Sequence, residues 1–218
     1  MLKELKNECQ IRIFQGMKNK KGLYIVFEGI VGSGKTTQSK LLAEKIKGVW
    51  TREPGGSEIA DSIRKVVQGT KFKEEMDSIC EQYLYAASRA QTLRKIVKPA
   101  LNKNKNVVAD RSFFTSIAYQ GFGRGLGLKK VLEINKTAIA NLWPNKVFFI
   151  DLPLSEALKR ISDVEGDKFE LLGEDFFKKC RRGYLVAAKK YPKIVKIING
   201  RGSIEEVAKR IYDQYKSF

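Results

Sequence analysis

The sequence predicts an α/β fold, a five-stranded parallel sheet with helices on both faces. Two observations carry this. Five short apolar runs recur along the chain, separated by stretches with helical periodicity. The first run also leads through a glycine-rich turn straight into a helical stretch that opens on Lys35 and Thr36.

Each element follows from local chemistry. Leu23 to Phe27 is almost wholly apolar, as expected of a central strand buried on both faces. A helix is expected from Thr36 to Lys47, then a second strand opening at Val49-Trp50-Thr51. Ser57, with Glu58 behind it, reads as the N-cap of a helix reaching Val67. From Met76 to Lys98 the apolar positions Ile79, Tyr83, Ala87, Ala90 and Ile96 recur near the helical period, and Pro99 lies close to the end, with room for a brief continuation. Val107 to Ala109 is a third strand, followed by helical segments as far as Trp143, where Pro144-Asn145 interrupts. Val147 to Ile150 is the fourth strand, and Leu154 to Ile161 a helix. After a charged stretch, a helix from Glu174 to Lys190 leads into the fifth strand, Ile194 to Ile198. Ser203 caps a last helix with Glu205 and Glu206 in its first turn. With no internal repeat and no linker, 22–218 is expected to form one domain, preceded by an N-terminal extension over 1–21.

Composition narrows the chemistry. The 218 residues hold 42 Lys and Arg against 24 Asp and Glu, a net charge of +18, and no histidine. Ser-His-Asp and Cys-His nucleophiles are excluded, as is His-liganded zinc. Cys9, Cys80 and Cys180 form no CxxC pair and no even disulfide framework, which suits a reducing, cytoplasmic setting. No apolar run reaches the ~18 residues of a membrane span, so no membrane partner is expected. The charge suggests a polyanion, but it is spread along the chain like a solvated lysine-rich surface, so no specific nucleic-acid partner is expected.

Gly29, Ile30, Val31, Gly32, Ser33, Gly34, Lys35 and Thr36 match GxxxxGK[ST], with Thr37 next, between a strand and a helix as the motif requires. Backbone N–H groups there can surround the phosphates of ATP. Lys35 would charge-pair with the outer phosphates, and Thr36 would offer its hydroxyl to Mg²⁺. The fold is thus of the P-loop NTPase type. The motif does not name the phosphoryl acceptor.

Acceptor chemistry is expected beyond the carboxyl ends of the strands. Thr51-Arg52-Glu53-Pro54-Gly55-Gly56 closes the second strand, and Asp110-Arg111 the third. Arg52 can fork onto a phosphate; Asp110 can hold Mg²⁺ through water while Arg111 steers a second phosphate.

At this point the sequence resembles the thymidylate kinase family, nearer its bacterial type. The likeness spans residues 22 to 215 and rests on the phosphate loop within Phe27 to Thr37, the TREPGG stretch, Tyr85 to Gln91 (YAASRAQ), Asp110-Arg111-Ser112, Ser116 to Gly121 (SIAYQG), Gly123 to Gly125 and Asp167 to Glu170. It implies transfer of the γ-phosphoryl of ATP to dTMP, giving dTDP for dTTP synthesis. It further implies that Arg52 and Arg111 hold the acceptor phosphate, Tyr85 stacks on thymine, Arg89 bonds its carbonyl, and Tyr119 packs under the sugar. Glu53, Ser116 and Gln120 join the acceptor set. The family is commonly homodimeric, with the long helix from Met76 as a candidate contact face.

Two departures stand out. Val31 occupies a position that is usually acidic in the family, so weaker discrimination at the sugar 3′ position is expected. Gly32 stands where one branch carries a catalytic Arg. The other branch uses lid arginines, but here a short mobile lid over 162–173 offers Lys168, with Arg160 before it and Arg181 after it. The catalytic set is therefore Lys35, Arg111, Lys168 and Arg160, with help from Arg160 or Arg181 for the lysine. A kinase of dUMP or another deoxynucleoside monophosphate, an inactive nucleotide-binding homologue and a basic nucleic-acid-binding ATPase are the alternatives.

Overall fold

Alternation within the strands divides the core in two. In β1 (Tyr24–Glu28), Tyr24 and Val26 face one side and Ile25 and Phe27 the other. The first side packs under long helices and holds most of the core, including Val107, Ala109, Val147, Phe149 and Val195. The second is smaller, with Phe27 and Phe148 meeting edge to face at 5.4 Å between ring centroids. Both sides are covered, which is why the strands read as unbroken apolar runs.

The computed structural model describes residues 22–70, 72–160 and 172–217. The five strands are β1, β2 (Val49–Arg52), β3 (Val107–Asp110), β4 (Lys146–Asp151) and β5 (Val195–Asn199), ordered β2-β3-β1-β4-β5 and all parallel. Chain order reverses beside β1, which opens a crevice there at the carboxyl edge. Register pairs Asp110 with both Phe27 and Arg52, so three strand ends share one rim.

The helices are α1 (Lys35–Lys45), α2 (Glu58–Val67), α3 (Ser78–Thr92), α4 (Lys98–Asn102), α5 (Phe113–Ser116), α6 (Gly127–Ile139), α7 (Leu154–Lys159), α8 (Gly173–Lys190) and α9 (Ile204–Lys216). Leu42 and Ala43 of α1 and Val207 and Ile211 of α9 cover the smaller core. Ser203 and Glu206 form the expected reciprocal cap on α9.

Two sequence expectations, the start of the long helix and the Ser57 cap, are corrected. The long helix starts at Ser78, because Asp77 accepts the N–H groups of Ile79 (2.8 Å) and Cys80 (3.2 Å). It runs three residues past Pro99, to Asn102, as the brief continuation allowed. A π-helical turn (Leu93–Val97) continues it into α4, and Pro99, which cannot donate to the preceding turn, sits just after that turn. Ser57 occupies the N-cap position of α2, but its hydroxyl makes no capping bond. The extension over 1–21, Cys9, Ile161 and most of the expected lid, with Lys168, lie outside the described residues.

Candidate active site

The phosphate loop is shaped by its glycines. Gly32 and Gly34 have φ of 73° and 85°, values that disfavour side chains. Gly34 stands at the N-cap position of α1 with no side chain over it, leaving the first N–H groups of the helix for an anion. The buried Lys35 folds back, its Nζ donating to the Ile30 carbonyl at 3.3 Å. Gly32 also has a neighbour that the sequence does not reveal. A Cβ there would lie 2.2 Å from the Ala157 carbonyl oxygen in α7, so an arginine side chain has no room at this position.

A cation reaches the loop from elsewhere. Arg160, just after α7, places an Nη1 atom 3.9 Å from where a Cβ of Gly34 would stand. Arg181 is committed differently, because its Nε and Nη2 fork onto the Asp151 carboxylate at 2.7 and 2.8 Å. Val31 is half-buried and packs against the larger core.

Thr36 donates to Asp110 Oδ2 at 2.5 Å, and Asp110 Oδ1 is buried with no hydrogen-bond partner among the described residues. A hydroxyl beside a carboxylate with an open oxygen fits Mg²⁺, which takes hard oxygen ligands and fills its shell with water and substrate phosphate. Among the described residues no group of three or more Cys, Asp or Glu side chains could hold a metal by itself.

Arg111 joins the end of β3 to the loop. Its φ is 75°, an uncommon value for a residue with a side chain. Nη1 donates to the Gly29 carbonyl, Thr115 Oγ1 and Tyr184 Oη, each at 3.2 Å, and Nη2 to Tyr119 Oη at 3.4 Å. The guanidinium also lies over the Tyr119 ring, 5.1 Å from its centroid. Beneath it sits Glu28, fully buried, accepting Ser112 N and Oγ at 2.8 Å, Thr115 Oγ1 at 2.6 Å and Tyr184 Oη at 3.0 Å. Burial pushes the Glu28 carboxyl above its ordinary range, against the pull of these hydroxyls and of Arg111.

Behind the end of β2 lies a buried ion pair. Arg89 and Glu53 are 2% and 4% exposed, with Arg89 Nε 2.7 Å from Glu53 Oε2. Arg89 Nη2 donates to Ser116 Oγ at 3.3 Å, and Nη1 to Asn135 Oδ1. Burial raises the Glu53 carboxyl while Arg89 opposes the rise. Tyr85 and Tyr119 are buried nearby in the larger core, Tyr119 edge-on to Phe176 at 5.7 Å.

The TREPGG loop turns through a cis Glu53-Pro54 bond. Gly55 N donates to Ser88 Oγ at 3.1 Å, and Thr92 Oγ1 to the Gly55 carbonyl at 2.6 Å. Arg52 is 43% exposed and pairs with Asp61 at 3.1 Å, a surface contact that an incoming phosphate can replace. Gln120 is held away from the others, its amide donating to the buried Glu81 at 2.9 Å, beside Arg124.

The site is matched by a family model. The model described as "Thymidylate kinase" covers residues 27–211. The chain belongs to the thymidylate kinase family. It is 39% identical to the thymidylate kinase of Kosmotoga olearia over 199 residues, 88% of this chain and 95% of the relative. It is also 39% identical to that of Clostridium novyi over 206 residues, 91% and 98% of the two chains. The crystal structure of thymidylate kinase from Ehrlichia chaffeensis superposes with a TM-score of 0.74 at 31% identity, covering 89% of this chain and 98% of that one. The five-stranded parallel sheet with its flanking helices is thus the P-loop fold of a thymidylate kinase.

Within that family frame, sequence reasoning missed Tyr184, Thr115, Asn135 and Asp151. Tyr184 and Glu28 stand 156 positions apart, and no local pattern links them. Glu28 itself carried a signal, as a lone carboxylate closing an apolar strand.

Proposed function

We propose that this protein transfers the γ-phosphoryl group of ATP to dTMP, yielding dTDP and ADP. The observation that carries the reading is the bond from Arg111 to the Gly29 carbonyl, which sets the acceptor wall directly against the phosphate loop. Two bound nucleotides would meet across that junction, and membership of the thymidylate kinase family names them.

Each residue then has a role. The N–H groups of residues 29–37 and the Lys35 ammonium bind the ATP phosphates. Arg52 and Arg111 hold the acceptor phosphate as forks. Tyr85 offers a face to thymine, Arg89 a donor to its carbonyl, and Ser116 sits beside that donor. Tyr119 fills the space under the sugar, while Gln120 and Glu53 act at one remove, through Glu81 and Arg89. An acceptor phosphate oxygen attacks the γ-phosphorus as the bond to the bridging β–γ oxygen breaks, and ADP departs. The attacking oxygen is already anionic, so no general base is needed and the lack of histidine is no obstacle. Arg160, with Lys168, neutralises the charge on the group in flight. Thr36 and Asp110 would hold Mg²⁺, which supplies charge neutralisation on the β- and γ-phosphates. The lid over 162–173 excludes water.

The test is ADP release from ATP and Mg²⁺ with dTMP, dUMP and dCMP in parallel. Turnover is expected with dTMP above all; equal turnover without any monophosphate would overturn the reading.

The outward face of α2 and α3 supports a homodimer. Ile59 and Tyr83 are 57% and 58% exposed, and a groove lined by Ile59, Ile63, Val66 and Leu84 runs between the helices. Ile59→Asp should shift the sedimentation coefficient from dimer to monomer. The free thiols of Cys80 and Cys180 suit a reducing, cytoplasmic setting, and among the described residues no helix is long and apolar enough to cross a membrane.

A further inference from the structure

Arg89 is held more completely than a core arginine needs. Its donors go to three different elements: Glu53 after β2, Ser116 at the end of α5 and Asn135 within α6. Three anchors in different directions fix the plane of a guanidinium, not merely its charge. Five N–H donors are available, and these three bonds leave two for another acceptor.

Asn135 is the anchor with the least freedom. It is fully buried. Its Nδ2 donates to the Val131 carbonyl at 2.8 Å, one turn back on its own helix, while Oδ1 accepts from Arg89. Turning the amide over would set Nδ2 against a guanidinium N–H and Oδ1 against a carbonyl. Both partners therefore demand the same orientation, and that orientation presents an acceptor to Arg89. A neutral amide also fixes the guanidinium without adding a second carboxylate beside Glu53. Arg89 thus keeps the donor strength that a base carbonyl requires.

We propose that Asn135 is a positioning residue for base selection, setting the guanidinium plane of Arg89 so that its remaining N–H groups donate to a pyrimidine carbonyl and find no acceptor in an amino group. This rests on the functional reading above. It assigns to α6, an element outside the motifs that carry the family likeness, a share in choosing the base.

The test compares Asn135→Ala with wild type for dTMP and dCMP, by turnover and by equilibrium binding. The KM for dTMP should rise about 10-fold, and the dTMP-over-dCMP ratio of kcat/KM should fall by about as much, because a buried donor loses its partner. The KM for ATP should stay put, which a merely structural defect would not spare. Asn135→Asp keeps an acceptor for Arg89 but loses the tether to Val131 and adds a buried carboxylate beside Glu53, so selectivity should recover only in part. If Asn135→Ala is insoluble, Asn135→Ser carries the same comparison. In an Arg89→Lys background, removal of the Asn135 amide should change selectivity little further. An unchanged dTMP/dCMP ratio, or effects fully additive with Arg89→Lys, would overturn the role of Asn135. Wild-type protein with no dTMP turnover refutes the function instead, and the binding comparison still decides Asn135.

Discussion

The Thr36 hydroxyl donates to the Asp110 carboxylate at 2.5 Å, tying the first turn of α1 to the end of β3. The bond holds one carboxylate oxygen and leaves the other, buried, without a partner among the described residues. Asp110→Asn would replace part of that oxygen pair with an amide. Turnover is expected to fall about 10–100-fold and the Mg²⁺ midpoint to rise. Titration of Mg²⁺ at saturating ATP and dTMP checks this, and an unmoved midpoint would remove Asp110 from the metal's surroundings.

Arg160 and Arg181 are close in sequence role but differ in the structure. Arg160 lies beside Gly34, whereas Arg181 is forked onto Asp151. Arg160→Ala should lower kcat by about 10²-fold with little change in the KM for dTMP, as expected for a group that acts on the transition state. Arg181→Ala should cost much less. Lys168→Ala is expected to lower kcat as well. Steady-state kinetics of the three variants decides, and a larger loss from Arg181 than from Arg160 would reverse the assignment.

Glu28 predicts a pH dependence of stability. Burial raises its folded-state pKa above the unfolded value of about 4.3. The folded protein therefore binds this proton more tightly, and the contribution is full below the unfolded pKa and is lost as pH rises through the folded one. Glu28→Gln cannot ionise, and the hydroxyls of Thr115 and Tyr184 can turn to accept from its amide. Urea midpoints at about pH 5 and about pH 8 should differ less for the variant than for wild type. Glu53 shifts in the same direction in both proteins, so the difference between them reports Glu28.

Val31 bears on the sugar. With an apolar side chain packed on the core, it offers the 3′-hydroxyl no acceptor. A site built to bond a hydroxyl can reject the analogue lacking it by 10⁴-fold or so; here the kcat/KM ratio of dTMP over its 3′-deoxy form should stay below about 10². A larger ratio would mean that another group binds the hydroxyl.

What could be read in advance was local. The strand at β1 and the turn after it were legible because an apolar run and a glycine pattern act through their own backbone. Helix ends were less so. Pro99 reads as close to the end of the long helix, which stops at Asn102, but nothing in the pattern from Met76 onward marks the π turn over Leu93–Val97. Ser57 has the right residue type for a cap, but its neighbours leave its hydroxyl unused.

The sequence by itself determined the parallel α/β sheet, the phosphate loop and the TREPGG and Asp110-Arg111 stretches at the strand ends, since each is written in contiguous residues whose spacing sets their geometry. Only the tertiary structure decided which side chains support them. Crossovers place β1 between β3 and β4, and so bring Tyr184 to Glu28 and Arg111 to Gly29. Ala157 closes the space above Gly32, and Asn135 meets Arg89 from a different helix. Such contacts join residues far apart in the chain, and no local preference specifies them. They exist because two faces of one sheet had to be buried and the helices covering them had one way to pack.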